Sequence, residues 1–137
     1  MAVLIDSSVF IGLERRGLPL EAIDRLGISG VPVLASITAS ELLNGVERAV
    51  PSPRRTGRLR FIERIFSTLT IIPFDRPAAR QHAQIGAYLA ATGTPIGPND
   101  LIIAATALTH GHQLLTDNVR EFRRVLGPIV GQPTWST

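Results

Sequence analysis

Apolar positions along this chain follow two alternating rhythms. Short, mostly apolar runs bounded by Asp, Ser, Gly or Pro fall at residues 3–5, 31–37, 69–73 and 113–116, with a last one at 129–130. Runs of this kind suit strands buried on both faces of a parallel sheet. Between them the apolar residues take helical spacing. Residues 9–15 form a short helix stopped by Gly17, and Pro19 opens a second with Leu20, Ile23 and Leu26 along one side. Ala39, Leu42, Leu43 and Val46 share one helical face, as do Leu59, Ile62, Ile65 and Phe66. Further helices are predicted over 78–91, 101–109 and 120–125. The helix at 101–109 is apolar nearly all round, so it belongs at the centre, with Gly111 as its cap. Only residues 51–58, rich in Pro, Ser and Arg, read as a linker. Strands alternating with helices predict an α/β fold with a parallel sheet covered on both faces. With no internal repeat, residues 1–137 read as a single domain.

Composition sharpens this picture at two points. Apolar residues make up 45% of the chain, enough for a core and too many for a disordered one. The longest apolar run, at 101–108, is too short to span a bilayer, and the first residues read as a strand and not as a signal peptide. No cysteine is present, which excludes disulfides and thiolate metal sites. A cytoplasmic protein with no membrane association is expected. All 14 basic residues are arginine. Codon bias in a GC-rich genome accounts for much of that, but guanidinium also grips phosphate bidentately, and a net charge of +3 favours polyanionic partners. The lack of lysine rules out a phosphate-binding loop and Schiff-base chemistry.

Against this basic background, acidic residues fall where predicted strands or loops give way to helices. Asp6 ends the first strand; Ser7 and Ser8 stand where a helix cap is needed, which leaves the aspartate free. Glu41 follows Thr38 at the spacing of a capping box, and that local role is sufficient for it when taken alone. Asp100 heads the central helix after Pro98 and Asn99; Asn99 can cap, and Asp100 then favours the helix dipole. Asp117 and Asn118 follow the fourth strand, where such residues commonly make a turn. Each has an ordinary explanation, yet junctions at the carboxyl ends of parallel strands converge on one crevice. Carboxylates gathered there repel one another unless a divalent cation neutralises them. Hard oxygen ligands of this kind suit Mg²⁺ or Mn²⁺ and point to phosphodiester hydrolysis. The other acids have plainer expected roles: Glu21 with Arg25 and Glu121 with Arg124 as helical pairs, Asp75 as an N-cap, and Glu14 as solvated. His82 reads as packed, and His110 and His112 are too isolated to suggest zinc.

In this order and at these separations, several segments carry a resemblance. They are Leu4-Ile5-Asp6-Ser7-Ser8-Val9, Ser36-Ile37-Thr38 with Glu41-Leu42, residues 100–107 from Asp100 to Ala107, and Leu115-Thr116 with Asn118 and Phe122. The chain resembles PIN-domain endoribonucleases over nearly its whole length, in particular the toxins of VapBC-type toxin–antitoxin pairs. The resemblance implies a three-layer α/β/α fold with a four- or five-stranded parallel sheet. It implies Mg²⁺-dependent cleavage of RNA, with Mn²⁺ as the alternative ion and Asp6 and Asp100 as metal ligands. Glu41 is then the third acid, orienting a metal water or acting as base. Many relatives carry an acid where Asn118 stands, so the fourth position falls to Asn118, through its carbonyl oxygen, or to Asp117. A cognate VapB-type antitoxin and a homodimer are the implied partners. Arg120, Arg123 and Arg124 are candidates for RNA contact, with Arg54, Arg55, Arg58, Arg60 and Arg64 weighed equally as a solvated helix face.

The competing class is a PIN-like module that binds RNA or protein without cleaving, which retention of Asp6, Glu41 and Asp100 argues against. A haloacid-dehalogenase-type phosphatase would need Asp where Ser8 stands. A dinucleotide-binding fold would need a Gly-rich turn after the first strand.

Overall fold

The computed structural model describes residues 1–135, and in it five parallel strands lie in the order β3-β2-β1-β4-β5. These are β1 (Ala2–Ile5), β2 (Val31–Ala35), β3 (Thr70–Ile72), β4 (Gln113–Leu115) and β5 (Val130–Gly131). Leu4 pairs with Val33 on one side and Leu114 on the other, which makes β1 the centre of the sheet. The helices are α1 (Ser7–Arg15), α2 (Ser36–Glu47), α3 (Pro53–Thr68), α4 (Arg76–Ala91), α5 (Pro98–His110) and α6 (Val119–Leu126). Three layers result because successive side chains of a strand point to opposite faces. Val3 and Ile5 enter a core with Phe10, Leu13, Ile62 and Ile65, from α1 and α3. Leu4 faces the other way, towards Ile103, Ala107 and Phe122 of α5 and α6. Each such aliphatic or aromatic side chain, fully buried, contributes about 1.5–3 kcal/mol. Helix α4 lies outside this second layer and packs chiefly on α5. Ile103, Ala104, Ala105 and Ala107 have no exposed surface, so α5 is the central helix that its apolar sequence predicts.

Several boundaries move, each for a local reason. β2 ends at Ala35 and α2 already begins at Ser36, so Thr38 sits inside the helix and no capping box forms; the residue before α2 is Ala35. Likewise α1 begins at Ser7, so the two serines are helical residues and not caps. Helix α5 starts at Pro98 in its first turn, behind Gly97, and Asn99 therefore does not cap it. The presumed linker is mostly helix: Ser52 caps α3 by accepting the Arg55 N–H, and Pro53 supplies the preset first turn. The helix opened by Pro19 is a 3-10 helix over Leu20–Arg25, and Glu21 pairs instead with Arg64 of α3. Gly111 ends α5 at φ 65°, a left-handed conformation that glycine adopts without penalty. The expected N-cap role of Asp75 is met: its carboxylate accepts the Ala78 N–H at 3.1 Å.

Candidate active site

Strands β2 and β3 lie on one side of β1, and β4 and β5 on the other. A crevice therefore opens beyond the carboxyl ends of β1 and β4, where the strand order reverses. Asp6 is the first residue past β1, and its N–H still bonds the Leu115 carbonyl of β4 at 3.0 Å. It occupies the N-cap position of α1 but makes no side-chain cap. Its carboxylate is 5% exposed, and Oδ2 accepts hydrogen bonds from Ser8 Oγ and Thr116 Oγ1, each at 2.8 Å. Thr116, fully buried, in turn accepts the Asn118 N–H at 2.9 Å, and Ser8 Oγ accepts the Asp117 N–H at 3.1 Å. Two hydroxyls thus aim Asp6 into the crevice and lock the turn after β4.

Glu41 and Asp100 reach the same crevice from α2 and α5. Burial raises the pKa of Glu41 above its usual value, and the charges of Asp6 and Asp100 raise it further; Asn99 and Ser7 pull the other way. Asn99 Nδ2 donates to Glu41 Oε2 at 3.4 Å, whereas Glu41 Oε1 is buried with no partner. Asp100 is raised chiefly by burial and then by the charges of Asp6 and Glu121, with Asn118 opposing. Asn118 Nδ2 donates to Asp100 Oδ2 at 3.2 Å, so this residue meets the site as a donor. Asp117 is exposed, and its Oδ1 accepts the indole N–H of Trp135 at 3.2 Å. The structure therefore brings Asp6, Glu41, Asp100 and Asn118 together and ties the side chain of Asp117 elsewhere.

This donor set fits a hard divalent cation. The acids are all oxygen donors, they repel one another across one crevice, and one carboxylate oxygen is buried without a hydrogen bond. Among the described residues no three His, Cys, Asp or Glu side chains enclose a metal ion on their own.

Sequence reasoning missed four participants. Ser8 and Asn99 read from the sequence as caps, and Thr116 as the end of the fourth strand. Glu121 does pair with Arg124 at 3.3 Å as expected, yet its charge also acts on Asp100. Its place in the first turn of α6, three residues after Asn118, is the signal that places it beside the crevice. Of the arginines, Arg120 and Arg123 are exposed on α6 with no ion-pair partner among the described residues. Arg124 instead lines a groove with Tyr88 and Leu108, on the α4 side. On α3, Arg58 pairs with Glu14 at 3.0 Å, so Glu14 is not merely solvated, and Arg55 Nε donates to the Val46 carbonyl at 2.8 Å. His82 packs edge-on against Phe74, and His110 stacks on His112.

A doubly wound parallel sheet with carboxylates at its switch point defines a class of α/β proteins suited to metal-assisted chemistry on phosphate esters. The sequence matches the PIN domain over residues 3–127. It is 38% identical over 127 residues to a ribonuclease VapC1 of Rickettsia felis, covering 93% of this chain and 92% of that one. It is 40% identical over 94 residues to a tRNA(fMet)-specific endonuclease VapC of Salmonella typhimurium, covering 69% of each. The crystal structure of DNA-bound VapBC from Salmonella typhimurium superposes with a TM-score of 0.81 at 31% identity, over 96% of this chain and 98% of that one. The chain belongs to the PIN-domain family, among its VapC ribonucleases.

Proposed function

We propose that this VapC-type ribonuclease hydrolyses RNA phosphodiester bonds through a water activated by a divalent cation, Mg²⁺ or in its place Mn²⁺. The observation that carries this reading is the gathering of Asp6, Glu41 and Asp100 at the sheet's switch point, where burial, and then the neighbouring carboxylates, raise the pKa of Glu41 and Asp100. A bound Mg²⁺ supplies an acidified water and neutralises charge on the scissile phosphate. Asp6, aimed by Ser8 and Thr116, and Asp100, aimed by Asn118, are the residues to hold it. Glu41, whose raised pKa suits a proton acceptor, is the residue to take the proton of the attacking water. Arg120 and Arg123 on α6 meet the RNA backbone beside the crevice. The protein acts as the toxin of a VapBC pair: a cognate VapB-type antitoxin covers the acidic crevice, and the toxin associates as a homodimer.

The test is incubation of partner-free protein with total RNA and Mg²⁺, beside Asp6→Asn and an EDTA control. Discrete cleavage by the wild type is expected, with loss in EDTA and a fall of more than about 100-fold in Asp6→Asn, beyond the effect of removing an outer partner of a ligand. Cleavage that survives in either control would end the metal reading. Folded protein that binds Mg²⁺ without cutting would make the chain a binding module.

A further inference from the structure

Beyond β5 the chain turns back across the molecule. The Thr134 N–H donates to the Leu26 carbonyl at 3.1 Å, just past the 3-10 helix, and the next residue lies on α1. That residue, Trp135, is the only tryptophan in the chain, and three features define its seat. Gly12 makes room for it: a Cβ there would stand 2.5 Å from Trp135 Cζ2, closer than real Cβ contacts come. The Arg16 guanidinium covers the ring 3.8 Å from its centroid and is pinned by donating to the Gly12 carbonyl at 3.1 Å. The indole N–H donates to Asp117 Oδ1 at 3.2 Å. Ring edge, ring face and N–H are each matched, as a partly buried indole requires.

The other half of the argument is what Asp117 touches. Its backbone N–H bonds Ser8 Oγ, and Ser8 bonds Asp6. Its neighbours in the turn are Thr116, which also bonds Asp6, and Asn118, which bonds Asp100. A turn of three residues thus supplies donors to both carboxylates, and the side chain of its middle residue is held from outside by Trp135.

We infer that Trp135 is a positioning residue for the acidic site: by anchoring the Asp117 carboxylate against α1 it sets the turn from which Asp6 and Asp100 receive their donors. Asp117 is then the anchor, and Asn118 the residue of that turn that serves the site. This rests on the reading of Asp6 and Asp100 as cation ligands.

The experiment measures Mn²⁺ binding to the full chain by electron paramagnetic resonance, with amide exchange of Asp117 and Asn118 followed by NMR in metal-free protein. Trp135→Phe keeps an aromatic ring and removes the N–H. It is expected to weaken Mn²⁺ binding measurably, by less than the roughly 10-fold that losing a partner bonded directly to a ligand costs. Exchange at both amides should quicken while the melting temperature changes little. Gly12→Ala closes the seat without touching the site and should reproduce the loss, although alanine is the better helix former. Asp117→Asn, which still offers an acceptor oxygen, should lose less than Asp117→Ala. Wild-type Mn²⁺ affinity in both Trp135→Phe and Gly12→Ala would overturn the inference. So would equal losses in the two Asp117 variants with Trp135→Phe unaffected, since Asp117 would then be a direct ligand. A wild type that binds no Mn²⁺ sinks the metal reading instead. Amide exchange then decides alone: faster exchange in Trp135→Phe supports the anchor, and unchanged exchange overturns it.

Discussion

The Thr116 hydroxyl carries an unusual share of the site for one atom. It donates to Asp6 and accepts from the Asn118 amide, so it fixes a carboxylate and the turn beside it at once. Thr116→Val keeps the shape, removes one donor from Asp6 and orphans a backbone N–H, a loss of about 1–3 kcal/mol in stability. Mg²⁺ affinity should fall about 10–100-fold; calorimetry showing wild-type affinity would leave the hydroxyl a purely structural group. The raised pKa values of Glu41 and Asp100 make a second prediction. Without metal, the folded state holds these protons more tightly than the unfolded chain does. Their contribution is therefore most favourable below the usual 4.5 and 3.8 and is lost as pH rises through the raised values. Mg²⁺ reverses the sign, because it binds the ionised form, so its stabilising increment grows as pH rises through the same window. In EDTA at neutral pH, Glu41→Gln should melt higher than wild type by roughly 1–3 °C, a modest shift because solvent screens a half-buried carboxylate. A lower melting temperature would mean that burying the charged Glu41 costs the metal-free fold nothing. At this scale the carboxylates were legible from sequence because acids past strand ends have one crevice to enter. Ser8, Thr116 and Trp135 were not, since hydroxyls beside helix starts usually cap and an indole near a chain end carries no positional signal.

Helix α3 separates packing from function among the arginines. Arg55, Arg58 and Arg64 are each engaged by a carbonyl or a carboxylate, so they serve to hold α3 to its neighbours. The partly buried Arg58–Glu14 pair contributes at most about 1 kcal/mol. On α6, the helix that Asn118 leads into, Arg120 and Arg123 remain exposed. Using Asp6→Asn protein to prevent cleavage, Arg120→Ala and Arg123→Ala should each weaken RNA binding and reduce the salt slope by about 0.7–1, whereas Arg58→Ala should leave that slope unchanged. A reduced slope for Arg58→Ala and none for the α6 variants would move the RNA path to α3. Element types were readable from spacing, and the misplaced starts share one cause. Ser36, Pro53 and Pro98 open their helices on residues that look like strand end, linker and loop: α2 follows β2 with no side-chain cap, and a proline reads as a breaker although it also presets a first helical turn. The 3-10 turn at Leu20–Arg25 was also hidden, since its apolar spacing fits either helix.

Across the whole molecule, a parallel sheet was implied by strand–helix alternation, but the order of its strands was not, because apolar strands buried on both faces carry no mark of their neighbours. The sheet settles it: β1 lies between β2 and β4, segments about 30 and 110 positions apart in the chain. That arrangement has a bearing on manufacture. A chain leaves the ribosome from its first residue at about 5–20 residues per second, so Asp6 and Glu41 emerge seconds before Thr116 and Trp135. A nascent chain holding every acid up to Asp100 still lacks β4, the two donors at Thr116 and Asn118, and the strap that anchors their turn. For a ribonuclease, whose substrate class surrounds it during its own synthesis, the acids therefore wait for β4 and its donors before the site can form.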